Sequence, residues 1–92
     1  MEFEYDPAKN ERNIRDRGIS FEDVRNFDFD SALIIEDTRQ TYGETRRLAL
    51  GCIGDRLHVL IFTERGTNRR IISLRKANSR EVKRYEQAKT KS

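Results

Sequence analysis

The chain of 92 residues predicts one α+β domain with two N-terminal helices, a four-stranded antiparallel sheet and a C-terminal helix. Two observations carry this reading. Helix-capping signals sit at both ends of the chain, and four β-like runs follow one another in the middle, mostly parted by Gly-bearing turns. Strands in an unbroken series make an antiparallel meander, whereas a parallel sheet needs a crossover between each pair. No repeat, linker or low-complexity tract divides residues 1–92, which read as a single domain.

After a short possible strand at Phe3–Tyr5, "DPAKNERNIRDRG" has the grammar of a first helix: Asp6 as N-cap, Pro7 at the first position and Gly18 as terminator. Its apolar content is thin. "ISFEDVRNF" predicts a second helix, with Ser20 and Asp23 as a capping box and Ile19 and Val24 as a staple. The strand runs are "SALIIEDTRQ", "TRRLALGCI", "RLHVLIFTER" and "RRIISLR", with turns expected near Tyr42-Gly43, at Gly54-Asp55 and at Gly66-Thr67-Asn68. Asn78 and Glu81 then offer a box-like start for a last helix ending near Lys89.

Composition narrows the function classes. Hydrophobic residues make up 35% of the chain against 38% charged, so the core is modest and a stabilising partner is expected. The start lacks a basic and an apolar signal region, and no apolar run approaches the ~20 residues of a membrane span, which predicts a cytoplasmic protein. Cys52 is the single cysteine; it reads as a core residue and excludes an internal disulfide or a Cys-rich zinc site.

The net charge of +3 hides an asymmetry. Residues 1–45 carry 6 Lys/Arg and 12 Asp/Glu, a net of −6, and residues 46–92 carry 13 and 4, a net of +9. Such a basic half suits a polyanion; the competing reading is that the halves neutralise each other across the fold. The excess of 14 Arg over 5 Lys favours phosphate, because guanidinium grips it in two places.

Three stretches, "YDPAKNERNIRDRGISF", "YGETRRLALG" and "RIISLRKANSREVKRYE", resemble the BrnT family of bacterial toxins in order and spacing. The more specific parts are Glu44 with Arg46, the run from Ile71 to Arg75, and Glu81 with Tyr85. The resemblance implies a RelE-like fold and a metal-independent endoribonuclease, with no cofactor. It also implies neutralisation by a BrnA-type antitoxin whose ribbon-helix-helix segment brings operator DNA to the complex, a heterotetramer. The sequence departs from the family where Tyr5-Asp6 replaces Trp-Asp and Asp16-Arg17 replaces Lys-His. The second change exchanges a titrating imidazole for a guanidinium that keeps its proton.

RNA cleavage without metal needs phosphate-binding cations, an acid/base group and positioning hydroxyls. Strand alternation puts Ser73 and Arg75 on one face and Ile72 and Leu74 on the other, and Arg46 on a neighbouring strand is expected to share a phosphate with Arg75. Glu44, two residues before Arg46, is a general-base candidate or an ion-pair partner. Tyr85 shares a helix face with Glu81 and serves either proton transfer and stacking or packing. Lys9, Arg17, Arg47, Arg70, Lys76, Arg80 and Arg84 complete the expected RNA-binding surface. His58 reads as a packed strand residue, and Asp28 and Asp30 as helix-closing residues, not metal ligands. A non-catalytic RNA-binding module or decayed toxin that retains antitoxin binding is the alternative from another class.

Overall fold

Helix α1, Pro7–Arg17, begins and ends where its capping residues direct. The Asp6 carboxylate accepts from the Ala8 N–H at 2.9 Å, and Gly18, at φ +69°, donates its N–H to the Ile14 carbonyl at 2.8 Å. The computed structural model of the protein describes residues 2–37 and 45–90. Ser20 also caps, but the segment it opens is a 3-10 helix, Phe21–Asn26, not the expected α-helix. Its Oγ accepts from Glu22 N at 3.1 Å, and the Asp23 N–H donates to the Ser20 carbonyl at 3.0 Å in the tighter i+3 pattern. The reason is a period of three: Phe21, Val24 and Phe27 are all buried, and a helix with three residues per turn stacks them in one line.

The strands are β1 (Phe3–Tyr5), β2 (Leu33–Asp37), β3 (Arg46–Ile53), β4 (Arg56–Arg65) and β5 (Asn68–Lys76), followed by helix α2 (Ser79–Thr90). The sheet order is β1-β5-β4-β3-β2. Among the described residues the sheet is therefore five-stranded and mixed, a correction to the expected four antiparallel strands: β1 runs parallel to β5, pairing Phe3 with Arg69 and Tyr5 with Ile71. Glu4 lies opposite Arg70 and pairs with its guanidinium at 3.1 Å. The remaining strands form the expected meander, closed by turns at Gly54-Asp55 and Gly66-Thr67. The expected turn at Tyr42-Gly43 lies outside the described residues.

Between Ile61 and Phe62 the β4–β5 register shifts: Ile61 faces Ser73, and Phe62 faces Ile71. Ile72 is the extra residue of a β-bulge. Ile72 consequently does not join Leu74 in the core as alternation on a shared face would have it, and Ile71 packs with Leu74 in the main cluster, beside Phe21, Val24, Phe27, Leu60 and Phe62. That cluster fills the α1 side of the sheet. Gly51 is integral to it, since a Cβ there would sit 2.5 Å from the Phe27 ring. A smaller cluster on the opposite side, Leu50, Leu57, Val59 and Ala77, is met by Val82 and Tyr85 of α2. No residue of α2 is buried.

Candidate functional site

Cross-strand pairing decides which cations share a face. Ile61 and Val59 belong to the α2 side, so their partners Ser73 and Arg75 do too. Thr63 continues that face by strand alternation, and both Arg46 and Arg70 pair with it, one from each neighbouring strand. The α2 side of β5 thus carries Arg70, Ser73 and Arg75 in series, with Arg46 two strands away, about 10 Å across the sheet. Thr63 sits between the two arginines, only 3% exposed, and its Oγ1 makes no hydrogen bond among the described residues.

Helix α1 adds a cation from the opposite end of the sequence. Arg17 donates to Ser73 Oγ at 3.4 Å. Lys9, Arg12 and Arg17 line a groove of about 200 Å³ together with Ile72, Ser73 and one carboxylate, that of Asp16. This convergence rests on Asn13, whose buried Nδ2 donates to the Ile19 carbonyl at 2.8 Å and the Leu74 carbonyl at 2.9 Å. Asn10, one turn earlier, accepts from Phe21 N at 2.7 Å. Helix α1 is thus pinned to the sheet by amides, which explains how so polar a helix docks.

Arg75 is ion-paired, as Arg70 is with Glu4, but by both prongs of its fork. Its guanidinium makes a two-pronged contact with Glu81, at 2.9 and 2.7 Å, and Glu81 also accepts from Asn78 N at 2.9 Å. The Arg75 hydrogen bond holds the Glu81 carboxyl below its ordinary range, with the Asn78 N–H adding to it. The Asn78 side chain returns a bond from Glu81 N at 2.9 Å, completing the expected capping box. Arg75 is therefore built into the start of α2. Four residues of β4 separate the partner of Arg75 from that of Arg46, about 13 Å along the strand, so the two are not neighbours.

The other candidates scatter. Tyr85 donates to the Ser31 carbonyl at 3.3 Å, close to the start of β2 and three strands from Ser73. Arg47 points to the α1 side, where Glu64 is its ion-pair partner at 2.7 Å, although the Arg47 Nε–H makes no aligned hydrogen bond among the described residues. Arg80 lines a shallow hollow with Lys83, while Lys76 and Arg84 are exposed. Glu44 lies outside the described residues. His58 is buried, with Nδ1 2.9 Å from the Arg56 carbonyl. Asp28 holds a turn, accepting from Ser31 N at 3.3 Å and Ser31 Oγ at 2.6 Å, which lowers its pKa. Sequence reasoning did not single out Thr63, Arg12 or Asn13; the i, i+3 spacing of Asn10 and Asn13 on a helix without an apolar stripe was the available signal for the last.

Fold and charge together define a small α+β domain whose sheet presents guanidiniums and hydroxyls on one face. The particular family follows from comparison: a family model described as "Ribonuclease toxin, BrnT, of type II toxin-antitoxin system" matches residues 5–81, and the chain belongs to that family. The match spans every element but the first residues of β1 and most of α2. No curated protein matches the chain. Among the described residues no helix is long and apolar enough to cross a membrane.

Proposed function

We propose that the chain is a metal-independent endoribonuclease that cuts RNA, inhibits translation and is neutralised by a BrnA-type antitoxin. The observation that carries this reading is the meeting of Arg17 with Ser73 beside Arg70, on a chain of a ribonuclease-toxin family. The scissile phosphate lies over Ser73, between Arg17 and Arg70. Arg46 holds a neighbouring phosphate, and Arg75, fixed by Glu81, adds positive potential along the same face. The RNA's own 2′-hydroxyl attacks phosphorus and the bond to the 5′-oxygen breaks, leaving a 2′,3′-cyclic phosphate and a 5′-hydroxyl. Glu44, two residues before Arg46, takes the 2′-hydroxyl proton, and solvent water protonates the departing 5′-oxygen. Tyr85, engaged with Ser31 and packing, holds α2 in place.

The antitoxin is an acidic, partly extended chain that covers the basic face. Two copies of each protein assemble, and operator DNA is bound through the antitoxin's ribbon-helix-helix segment.

The test is purified protein with end-labelled RNA in EDTA. Cleavage that survives EDTA and is lost in Arg17→Ala and Arg70→Ala supports the reading. RNA that is bound but uncut leaves the non-catalytic binding module, which the absence of a titrating imidazole at Arg17 favours.

A further inference from the structure

A cavity of about 360 Å³ opens on the α1 side of the sheet, between β1, the 3-10 helix and the start of β5. Its walls are Phe3, Val24, Phe27 and Phe29, two guanidiniums flank it, those of Arg25 and Arg69, and Glu2 is a carboxylate on its rim. Arg69 stacks 3.9 Å from the Phe29 ring centroid and 5.4 Å from that of Phe62; Arg25 lies 4.9 Å from that of Phe3. None of these residues belongs to the site over Ser73.

The Nε of Arg69 is buried and has no acceptor among the described residues, a condition it shares with Arg47, which has an ion-pair partner where Arg69 has none. Glu64, opposite it on β4, gives its carboxylate to Arg47 at 2.7 Å, so among the described residues no carboxylate neutralises Arg69. Arg25, by contrast, has its Nε on Glu22 at 3.0 Å. A guanidinium partly withdrawn from water without a counterion leaves donors unused and carries a desolvation cost that a bound anion offsets. The anion's remaining body must suit an apolar, aromatic floor. The volume falls within the range of about 300 to 1,000 Å³ typical of small-molecule sites, larger than a lone phosphate or carboxylate requires.

Phosphate joined to a flat, stackable ring answers both demands. We propose that this cavity is a nucleotide subsite in which Arg69, aided by Arg25, takes a phosphate while the base lies against the half-buried rings of Phe3 and Phe29. The inference deepens the RNA reading above and rests on it for the source of the nucleotide. Consecutive residues of a strand face opposite sides, so Arg69 and Arg70 carry charge to both faces at one end of the sheet. A single-stranded RNA passing around that end reaches Ser73 on one side and this cavity on the other. Stacking on aromatic or guanidinium planes is how single strands are usually held.

The experiment is a titration of the full isotopically labelled chain with AMP, UMP, inorganic phosphate and an acidic peptide, followed at backbone amides and at the Arg69 Nε–Hε signal. AMP or UMP is expected to move Arg69 Nε–Hε and the amides of Phe3, Phe27 and Phe29, with phosphate alone binding at least about tenfold more weakly. Arg69→Gln should lose about tenfold or more of nucleotide affinity, and Arg69→Lys should recover only part, because the fork is lost. An unchanged spectrum outside the cavity shows that each variant is folded, and Arg25→Gln is the second, milder variant. Equal binding of phosphate and nucleotide, saturation by the acidic peptide alone, or no response at Arg69 overturns the subsite. Nucleotide binding at Arg69 by a chain that leaves RNA uncut overturns the nuclease reading and not this one.

Discussion

The two faces of the sheet are held by different means. On the α1 side, Phe21, Leu60, Phe62, Ile71 and Leu74 are each at most 1% exposed and interlock with the 3-10 helix. On the α2 side a helix without one buried residue rests on Val82 and Tyr85 and is tied down by Arg75–Glu81. More of the buried apolar surface lies on the α1 side, and the opposite face carries a smaller cluster around Leu50 and Val59 with guanidiniums and a hydroxyl beyond it. A small domain can sustain one dense core, and the second face is then available to phosphate or to a protein partner.

The core side carries the larger expected loss. Leu74→Ala should cost about 2 to 5 kcal/mol, a large share of a total of about 5 to 15 kcal/mol. Val82→Ala, on the loosely docked helix, should cost about 1 kcal/mol, because little area is re-exposed. Urea midpoints of the two variants measure the contrast. Equal midpoints would mean that α2 is as firmly packed as α1.

Asn13 sharpens it. Asn13→Ala strands the Leu74 and Ile19 carbonyls, and a buried group left without its partner costs about 1 to 3 kcal/mol. Asn13→Leu should not restore the loss, since the missing quantity is a donor and not volume. Arg17 would also lose its place near Ser73, so RNA binding should fall along with the urea midpoint. An alanine variant of native stability would show that apolar contacts hold the helix.

Asn13 also marks where sequence reading stops. Caps at Asp6, Asn78 and Glu81, the terminator Gly18 and the Gly54 and Gly66 turns are all legible, because each is a local arrangement of a side chain and nearby backbone. The 3-10 helix reads as α from its start because a capping serine serves either, and only the spacing of Phe21, Val24 and Phe27 distinguishes them. β1 pairs with a strand 66 residues away, and nothing in three residues announces that partner. The bulge at Ile72 is invisible for a related reason: alternation is a rule about one strand, and a bulge is decided by two. Hence alternation places Ser73 and Arg75 on one face correctly, while Ile71 and Ile72 exchange roles. The placement of Arg46 away from Arg75 follows from a register that the sequence does not encode locally.

A smaller effect is expected at Ser20. Its Oγ–Glu22 N–H bond is exposed and caps a 3-10 helix of six residues, so Ser20→Ala should fall at the low end of the capping range, about 0.5 to 1 kcal/mol. A shift of the urea midpoint as large as that of Asn13→Ala would place more of the core's organisation in this cap than its geometry supports.

The smallest effect tests how α2 is held, and pH reads it. The folded protein depresses the Glu81 pKa, chiefly through the Arg75 hydrogen bond, while the unfolded chain returns it to the ordinary value. The unfolded state therefore binds the proton more tightly, and the stabilisation is present above the ordinary glutamate value of about 4.3 and lost as pH falls through the folded value. With side chains 34% and 21% exposed, Arg75 and Glu81 are partly screened by solvent, so the contribution is below about 1 kcal/mol and local to the helix. Hydrogen exchange at α2 amides, corrected for intrinsic rates, should show protection falling as pH drops below the ordinary glutamate value of about 4.3 while β4 and β5 stay protected. Glu81→Gln, already without the charge, should show weaker α2 protection at the higher pH and little further change at the lower. If its α2 protection instead falls in step with the unmodified chain, another group titrates under the helix, and the Arg75 fork is not what fastens α2 to the sheet.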